Sequence, residues 1–239
     1  MALLEGRKIS KSFGGVQALS AVDFAVEPGT IVGLIGPNGA GKTTLFNAVA
    51  GAFKPTSGRV IFDGRDITGL PANAVCRLGM ARTFQVTRPF GAMTCLENAM
   101  VAAINRHPTQ PRGFIEALAR EKLALVGLAD MAGFEARHLN VIQKKRLEMA
   151  RALATEPKLL MLDEVLGGLN TQEINQAVAF IRSLRDQMGL TVLWIEHVIG
   201  AVMQAAERVI VLDQGQVLMA GTPGEVVNDP RVIQAYLGD

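Results

Sequence analysis

A glycine-rich segment, residues 36–43, fits the template G-x-x-x-x-G-K-[ST] at every fixed position. It follows an apolar run, residues 31–35, that has the length and composition of a buried strand. Glycines allow the backbone angles that turn successive N–H groups inward, and a helix that starts after such a loop points its positive dipole end at an anion. The segment therefore predicts a phosphate-binding loop that grips a nucleoside triphosphate.

The side chains of this loop have separate expected roles. Lys42 is expected to reach the β and γ phosphates, and Thr44 to lie near the α phosphate. The Thr43 hydroxyl is expected to bind Mg²⁺, a hard cation that prefers oxygen ligands. The remaining phosphate-binding positions are the loop residues Gly36, Pro37, Asn38, Gly39, Ala40 and Gly41.

Two carboxylates come directly after a second apolar run, residues 159–162. Asp163 and Glu164 would then stand at the carboxyl end of a buried strand, where open α/β sheets bind ligands. Asp163 is the expected partner of Mg²⁺, directly or through water. Glu164 is expected to orient or polarise the water that attacks the γ phosphate. Alone, the pair would also fit two solvated carboxylates, but the phosphate loop favours the catalytic interpretation.

Two further polar residues are candidates for the same chemistry. His197 stands two residues after the apolar run 191–195, as Glu164 stands two residues after its own run, and could hydrogen-bond the γ phosphate. Gln85 ends the segment 81–85, where a strand-rich region gives way to predicted helices, and its amide could contact metal or water. A structural histidine and an ordinary loop glutamine stay open as alternatives.

The composition bounds the class of protein. A length of 239 residues, an apolar share of 49% and a net charge of +2 fit one compact α/β domain, with no sign of a nucleic-acid partner. Charged residues interrupt every apolar run before it could span a bilayer, and the N-terminal segment lacks an apolar signal region. We therefore expect a cytoplasmic protein. Cys76 and Cys95 lack metal-ligand spacing and are expected to be reduced thiols.

The pattern of apolar residues divides the first part of the chain into a β region and a helical region. Alternation over residues 21–26 and a short run at 60–62 predict an N-terminal antiparallel β region. The period then becomes helical, and Thr94 with Glu97 is expected to form a capping box. One predicted helix carries Leu96, Ala99, Met100, Ala103 and Ile104 on one face, and the next, over residues 114–126, has an apolar stripe of Phe114, Ile115 and Leu118.

The last part of the chain alternates strands with helices. Apolar runs at 159–162, 191–195 and 208–212 are separated by a helical segment that carries Ile174, Val178, Ile181 and Leu184. Such alternation predicts a mainly parallel sheet covered by helices. We expect a single domain with a core of about residues 1–86 and 156–239 and a helical subdomain of about residues 87–155.

The order of these motifs resembles the nucleotide-binding domain of ABC transporters, a P-loop NTPase, over nearly the whole chain. The resemblance rests on the phosphate loop, Gln85 before the helical insert, and the segments 158–164 and 194–197. It implies a closed dimer that sandwiches two ATP molecules, each between the loop of one subunit and the signature segment of the other. It also implies that Phe13 stacks on adenine, although a core position for Phe13 stays open, and that Asn170 lies in the dimer-contacting D-loop, where Asp is usual.

A narrower resemblance is to the ATPase subunits of branched-chain amino acid importers, a group that includes relatives serving urea and amides. It rests on residues 12–15, 82–85, 168–170 and 195–197, and on the tail from residues 221–225 to 234–238. These subunits pair with permease membrane subunits, a separate solute-binding protein and commonly a sister ATPase. The implied location is peripheral, on the cytoplasmic face of the inner (plasma) membrane.

One segment departs from the family pattern. The signature L-S-G-G-Q is here Leu139-Asn-Val-Ile-Gln143, although the following helix otherwise fits. Asn140 can still cap that helix and, with Gln143, is an implied nucleotide contact. Val141 and Ile142 are β-branched where the family uses glycine to approach the γ phosphate, so steric conflict is expected. In a heterodimer the two ATP sites would then be unequal.

Three readings of function follow. The leading one is an ATPase subunit that drives solute import. A soluble ABC ATPase that acts on nucleic acid or ribosomes is disfavoured, because the chain has one cassette and only a short insert. A non-hydrolysing ATP-binding module is conceivable because the signature is altered. The basic run 144–146 is more simply a solvated helix face than a lipid-binding or membrane-protein contact.

Overall fold

A computed structural model describes residues 1–237, so Gly238, the last residue of the tail resemblance, lies outside the described residues. The described residues fold as two compact units, one formed by Met1–Val75 with the described residues from Met161 on, the other by Cys76–Leu160. The strands β1 to β10 are Leu4–Phe13, Val16–Val26, Ile31–Ile35, Ser57–Phe62, Arg65–Asp66, Met80–Arg82, Leu159–Asp163, Thr191–Ile195, Arg208–Asp213 and Gln216–Gly221.

The helices α1 to α9 are Lys42–Val49, Ala72–Arg77, Cys95–Arg106, Arg112–Leu125, Val141–Leu153, Thr171–Met188, Ile199–Ala205, Pro223–Val227 and Pro230–Leu237. Two 3-10 turns, Ala129–Met131 and Ala136–His138, lie between α4 and α5. Across residues 1–237, every helix is too short or too polar to cross a membrane.

The first unit contains a four-stranded sheet in the order β2-β1-β4-β5, and each neighbouring pair is antiparallel. This confirms the expected N-terminal antiparallel region. The sequence analysis did not predict β1. Register shifts on both sides of Ile9 break the strict apolar alternation by which a strand is recognised in a sequence.

A second sheet of the first unit has the order β10-β9-β3-β8-β7. Strand β3 is parallel to both β8 and β9, and β10 is antiparallel to β9. Every residue of β3 and β8 is buried, which explains why these strands are continuous apolar runs. The mainly parallel sheet is thus confirmed, and parallel pairing brings the carboxyl ends of β3 and β8 to the same edge.

Helix α6 covers part of the first unit with the apolar face that the sequence predicts. Its buried residues are Val178, Ile181 and Leu184, and Ile174 is half-buried. Asn170 begins the helix with a capping box, in which its side chain accepts from the Glu173 N–H at 3.0 Å.

The second unit is built around α3, α4 and α5. The predicted capping box is present at the start of α3: the Glu97 N–H donates to the Thr94 hydroxyl at 3.1 Å, and the Thr94 N–H to the Glu97 carboxylate at 2.8 Å. A buried cluster joins α3 and α4 to the residue that follows α5, and it consists of Ala103, Ile115, Leu118 and Ala154. This unit also contains β6. The predicted helical subdomain of about residues 87–155 stays a prediction.

Two residues of the predicted apolar stripes are exposed. Ile104 faces solvent because Asn98 takes a place on the buried face of α3, which turns that face toward Cys95, Ala99 and Ala103. Phe114 lies on the surface at the start of α4, where its ring packs edge-on against His107 at a centroid distance of 5.5 Å. The apolar stripes therefore do not coincide with the buried faces at these two positions.

Asn98 is fully buried. Its side-chain amide is the hydrogen-bond partner of several backbone groups in the turn before α3. Its Oδ1 accepts from the Phe90 N–H at 2.9 Å, and its Nδ2 donates to the carbonyls of Phe90, Met93 and Thr94 at 3.0 to 3.3 Å. One side chain therefore organises the turn that leads into α3.

Asn98→Ala should lower the free energy of unfolding by about 1–3 kcal/mol, because it removes the acceptor of the buried Phe90 N–H. The matched control on the same helix is Ile104→Ala, whose side chain is exposed and whose loss should cost less than about 0.5 kcal/mol. Urea unfolding of the three proteins measures both. Equal losses in the two variants would contradict the structural role of Asn98.

Candidate functional site

The phosphate loop connects β3 to α1. Strand β3 ends at Ile35, and α1 begins at Lys42 with Gly41 at the N-cap position. No side chain caps this helix, so its first N–H groups are directed out of the helix end rather than toward a capping oxygen. The predicted loop is therefore a strand-to-helix turn with the geometry of an anion site.

Two glycines of the loop are required by close backbone contacts. Gly41 has φ of 99°, and a Cβ there would lie 2.7 Å from the Ala18 carbonyl oxygen. Gly36 has φ of 150°, and a Cβ there would lie 2.1 Å from the Leu212 carbonyl oxygen. Any side chain at either position would displace the loop.

Lys42 is buried, and its ammonium group binds the loop itself. Its Nζ donates to the Gly36 carbonyl at 2.7 Å and to the Pro37 carbonyl at 2.9 Å. Burial lowers the pKa of Lys42, and the nearby Glu164 carboxylate acts in the opposite direction. The charge is thus held at the base of the loop.

The predicted carboxylate and histidine meet at the sheet edge. Asp163 is the buried last residue of β7, and Glu164 follows it. The Glu164 N–H donates to the Ile195 carbonyl at 3.0 Å, which ties the end of β7 to the end of β8. Glu164 Oε1 lies 2.6 Å from His197 Nε2, so the two candidates form one pair.

Glu164 adopts an unusual backbone conformation. Its φ is 50°, in the left-handed region that residues other than glycine seldom occupy. Such a conformation persists when surrounding contacts hold it, and here Glu164 contacts the Ile195 carbonyl and His197.

Glu196 is a residue that sequence reasoning missed. It is 3% exposed, and its two carboxylate oxygens accept from the Leu166 N–H at 2.7 Å and the His197 N–H at 3.1 Å. It thereby joins the segment after Glu164 to the turn that carries His197. Burial raises the pKa of Glu196, while its bonds to backbone N–H groups act in the opposite direction. The sequence does contain a signal that could have identified Glu196, namely an ionisable residue directly after a fully apolar strand.

The oxygen donors of the first unit suit a hard cation. Thr43 carries a hydroxyl on the exposed side of the first turn of α1, and Asp163 a carboxylate at the end of β7. Such oxygens are the donors that Mg²⁺ prefers, usually with water and substrate phosphates completing the shell. Among residues 1–237, no group of three or more His, Cys, Asp and Glu side chains could hold a metal ion.

Phe13 lies at the surface of the first unit, at the end of β1. The ring is 48% exposed, so the alternative that Phe13 belongs to the core is wrong. It contacts Phe53 edge-on at a centroid distance of 5.4 Å, and the Lys11 ammonium lies 4.9 Å from the Phe13 ring. An exposed, braced ring is available for stacking, and the contact with adenine stays a prediction.

The remaining candidates, Gln85, Asn140 and Gln143, lie in the second unit. Gln85 is exposed, and the residue before it, Phe84, donates its N–H to the Glu148 carboxylate. Asn140 and Gln143 form a capping box at the start of α5, with both bonds at 2.9 Å. The Gln143 Nε2 also donates to the Met131 sulfur at 3.3 Å. The predicted helix cap by Asn140 is thus confirmed, and the predicted nucleotide contacts stay predictions.

The parallel sheet, the glycine loop and the polar strand ends define a phosphate-loop nucleotide-binding protein. Residues 19–167 match the family model described as ABC transporter, and residues 216–239 match the one described as branched-chain amino acid ATP-binding cassette transporter. The chain therefore belongs to the ABC transporter family, whose cassettes bind nucleotide and act as ATPases.

Individual relatives are similar in sequence to this chain over nearly its full length. The chain is 41% identical to the high-affinity branched-chain amino acid transport ATP-binding protein BraF of Pseudomonas aeruginosa, with 99% of this chain and 98% of that protein covered. It is 40% identical to LivG, of the same description, from Escherichia coli strain K12, at the same coverage. A crystal structure of a nucleotide-free ATP-binding cassette from an ABC transporter has a TM-score of 0.89 and 30% identity, with both chains fully covered.

The raised pKa of Glu196 has a consequence for stability. As the pH rises above the ordinary carboxyl pKa, the unfolded chain ionises first, so the contribution of Glu196 to the free energy of unfolding falls until the folded carboxyl also ionises. Glu196→Gln removes this titration. The variant should lose about 1–3 kcal/mol relative to the wild type at about pH 5.5 and less at about pH 8.5.

Urea unfolding at the two pH values measures this difference. Glu116→Gln, a carboxylate-to-amide change at a surface residue of α4, should show no such trend. A loss from Glu196→Gln that grows with pH would contradict the assigned direction.

Proposed function

We propose that this chain is the ATP-hydrolysing subunit of an importer for branched-chain amino acids or a related small polar solute. The full-length similarity to BraF and LivG and the match of residues 216–239 support this solute class. Its partners would be permease membrane subunits, an ATPase partner that is a sister subunit or a second copy, and, indirectly, a solute-binding protein. It would act at the cytoplasmic face of the inner membrane.

The pairing of Glu164 with His197 carries the enzymatic part of this proposal. The two groups meet at 2.6 Å at the edge where β7 and β8 end, and the Lys42 ammonium lies at the base of the loop in the same unit. A base, a hydrogen-bonding imidazole and a cation are the side chains that phosphoryl transfer to water requires, because that reaction depends on positioning and charge stabilisation.

Each residue then has a role. Lys42 would exchange its bonds to the Gly36 and Pro37 carbonyls for bonds to the β and γ phosphates. Glu164 would orient the attacking water and draw on its proton, while His197 holds the γ phosphate and is itself positioned by Glu164. Thr43 and Asp163 would hold Mg²⁺, which neutralises phosphate charge when bound.

The altered signature supports unequal ATP sites in a dimer with a sister subunit. The Val141 side chain is 68% exposed at the first position of α5, where the family uses glycine to admit a phosphate. The side chains of Asn140 and Gln143 are engaged with each other's backbone and with Met131. The phosphate loop of this chain, completed by the partner's signature, would then perform more of the turnover than the opposite site.

Glu164→Gln should abolish most ATP turnover, by about 100-fold or more, because the amide cannot draw on the proton of the attacking water. Binding of Mg-ATP should persist, since Lys42 and the loop are unchanged. Steady-state phosphate release and equilibrium nucleotide binding measure the two effects. Glu116→Gln is the matched control and should keep the wild-type rate. Equal rates for Glu164→Gln and the wild type would leave a binding module as the better description.

Replacing Val141 and Ile142 together by glycine should raise the ATPase rate of the purified protein at concentrations where it forms homodimers, because the phosphate can then approach the start of α5. Thermal unfolding of the same preparation separates this gain from a stability effect, since two glycines in the first turn of a helix lower stability. An unchanged rate in a variant that remains folded would count against the unequal sites.

A further inference from the structure

A buried carboxylate, that of Glu196, lies between the two segments that carry the proposed catalytic pair. The first segment, residues 164–166, follows β7, and the second, residues 195–197, leads out of β8. Neither phosphate binding nor activation of water, as assigned above, uses Glu196. Its side chain is nevertheless 3% exposed, and burying an ionisable group is unfavourable unless its oxygens find hydrogen-bond donors. The donors that it finds indicate what it does for the site.

Three contacts connect the two segments, and Glu196 makes the third. The Glu164 N–H donates to the Ile195 carbonyl at 3.0 Å, and the Glu164 carboxylate meets the His197 imidazole at 2.6 Å. One oxygen of Glu196 accepts from the Leu166 N–H at 2.7 Å, and the other accepts from the His197 N–H at 3.1 Å. The contacts therefore close a ring that runs from Glu164 through the Glu196 carboxylate to His197 and back.

The His197 ring depends on such bonds for its position. Its side chain is 50% exposed, so packing restrains only part of it. Its backbone is held by Glu196, which accepts its N–H, and by the Ile199 N–H, which donates to its carbonyl at 3.0 Å. If the bond to Glu196 is lost, the turn can shift and the ring can leave the position in which it meets Glu164.

We propose that Glu196 is a positioning residue for ATP hydrolysis, which holds His197 against Glu164 in the arrangement that acts on the γ phosphate and the attacking water. The proposal deepens the function above and rests on Glu164 and His197 being the catalytic pair. Glu196 itself is too buried to touch nucleotide. It requires both carboxylate oxygens, because each of them accepts from a different backbone N–H group.

The test uses the full chain with Glu196→Gln, which keeps nearly the same shape. One acceptor oxygen becomes an NH2 group that can only donate, so either the Leu166 N–H or the His197 N–H loses its partner. The kcat should fall by about 10-fold, because a small misplacement of a catalytic group is costly. The KM for ATP and the affinity for a fluorescent ATP analogue should stay within about twofold, because Lys42 and its loop are unchanged.

Steady-state phosphate release measures both constants, at about pH 8.5, where the stability loss expected from Glu196→Gln is small. The matched control is Thr191→Val, at the opposite end of β8. Thr191 is 1% exposed, and its hydroxyl accepts from the Gly29 N–H at 2.9 Å. This variant also removes a buried acceptor from a backbone N–H, but far along the strand from the pair, so its kcat should equal that of the wild type.

A double variant tests whether Glu196 acts through the histidine. His197→Ala should lower kcat, and adding Glu196→Gln to it should lower kcat by less than about twofold more, because no ring remains to be positioned. A double variant that loses the product of the two single losses would show that Glu196 acts independently of His197, which contradicts the proposal.

The other outcomes separate the two levels of the argument. A wild-type kcat in Glu196→Gln beside an inactive Glu164→Gln overturns the role of Glu196 and leaves the proposed function intact. If Glu164→Gln turns over ATP as the wild type does, the enzymatic function fails, and the role of Glu196 falls with it. Equal losses of kcat in Glu196→Gln and Thr191→Val would assign the effect to stability alone, which also overturns the proposal.

Thermal unfolding of each preparation shows whether the variants are folded at the assay temperature. If Glu196→Gln does not fold, Glu196→Asp takes its place. That variant keeps both oxygens on a side chain shorter by one methylene, which cannot reach both N–H groups. The same fall in kcat at a constant KM is expected, and a wild-type kcat would overturn the proposal.

Discussion

The position of the phosphate loop depends on a close fit between two backbones, those of Gly36 and Leu212. Strands β3 and β9 run parallel, with Ile35 opposite Val211, and the chain leaves β3 directly against the Leu212 carbonyl. There is no room for a Cβ, so the residue that opens the loop must be glycine. Because the Gly36 carbonyl holds Lys42, this contact decides where the positive charge of the site lies.

The polar edge of the sheet depends on the same parallel geometry. The ends of β7 and β8 are joined by the bond from the Glu164 N–H to the Ile195 carbonyl, and Glu196 adds a second connection through its buried carboxylate. Glu164 tolerates its left-handed backbone because these neighbours hold it. The pair of Glu164 and His197 is thus positioned by backbone contacts rather than by the two side chains alone.

Local features of the fold could be predicted from the sequence. The buried strands β3, β7, β8 and β9 are short apolar runs, and the capping box of Thr94 and Glu97 depends on residues three apart. The loop motif identified the region of Lys42 for a similar reason, since its chemistry lies in consecutive residues. Features that depend on residues distant in the chain could not be predicted from local sequence patterns. Strand β1 was hidden by its register shifts, and the exposure of Ile104 follows from the burial of Asn98 among loop carbonyls.

The amino-acid sequence by itself determined the class of fold, the family, the phosphate loop and the identity of the residues at the strand ends, because each depends on short local patterns and on their order along the chain. The tertiary structure alone decided that Glu164 meets His197 and that Glu196 joins their two turns. These contacts join residues 30 and 33 positions apart. Sequence patterns report local spacing, whereas such contacts exist only after the sheet has set its strand order and register.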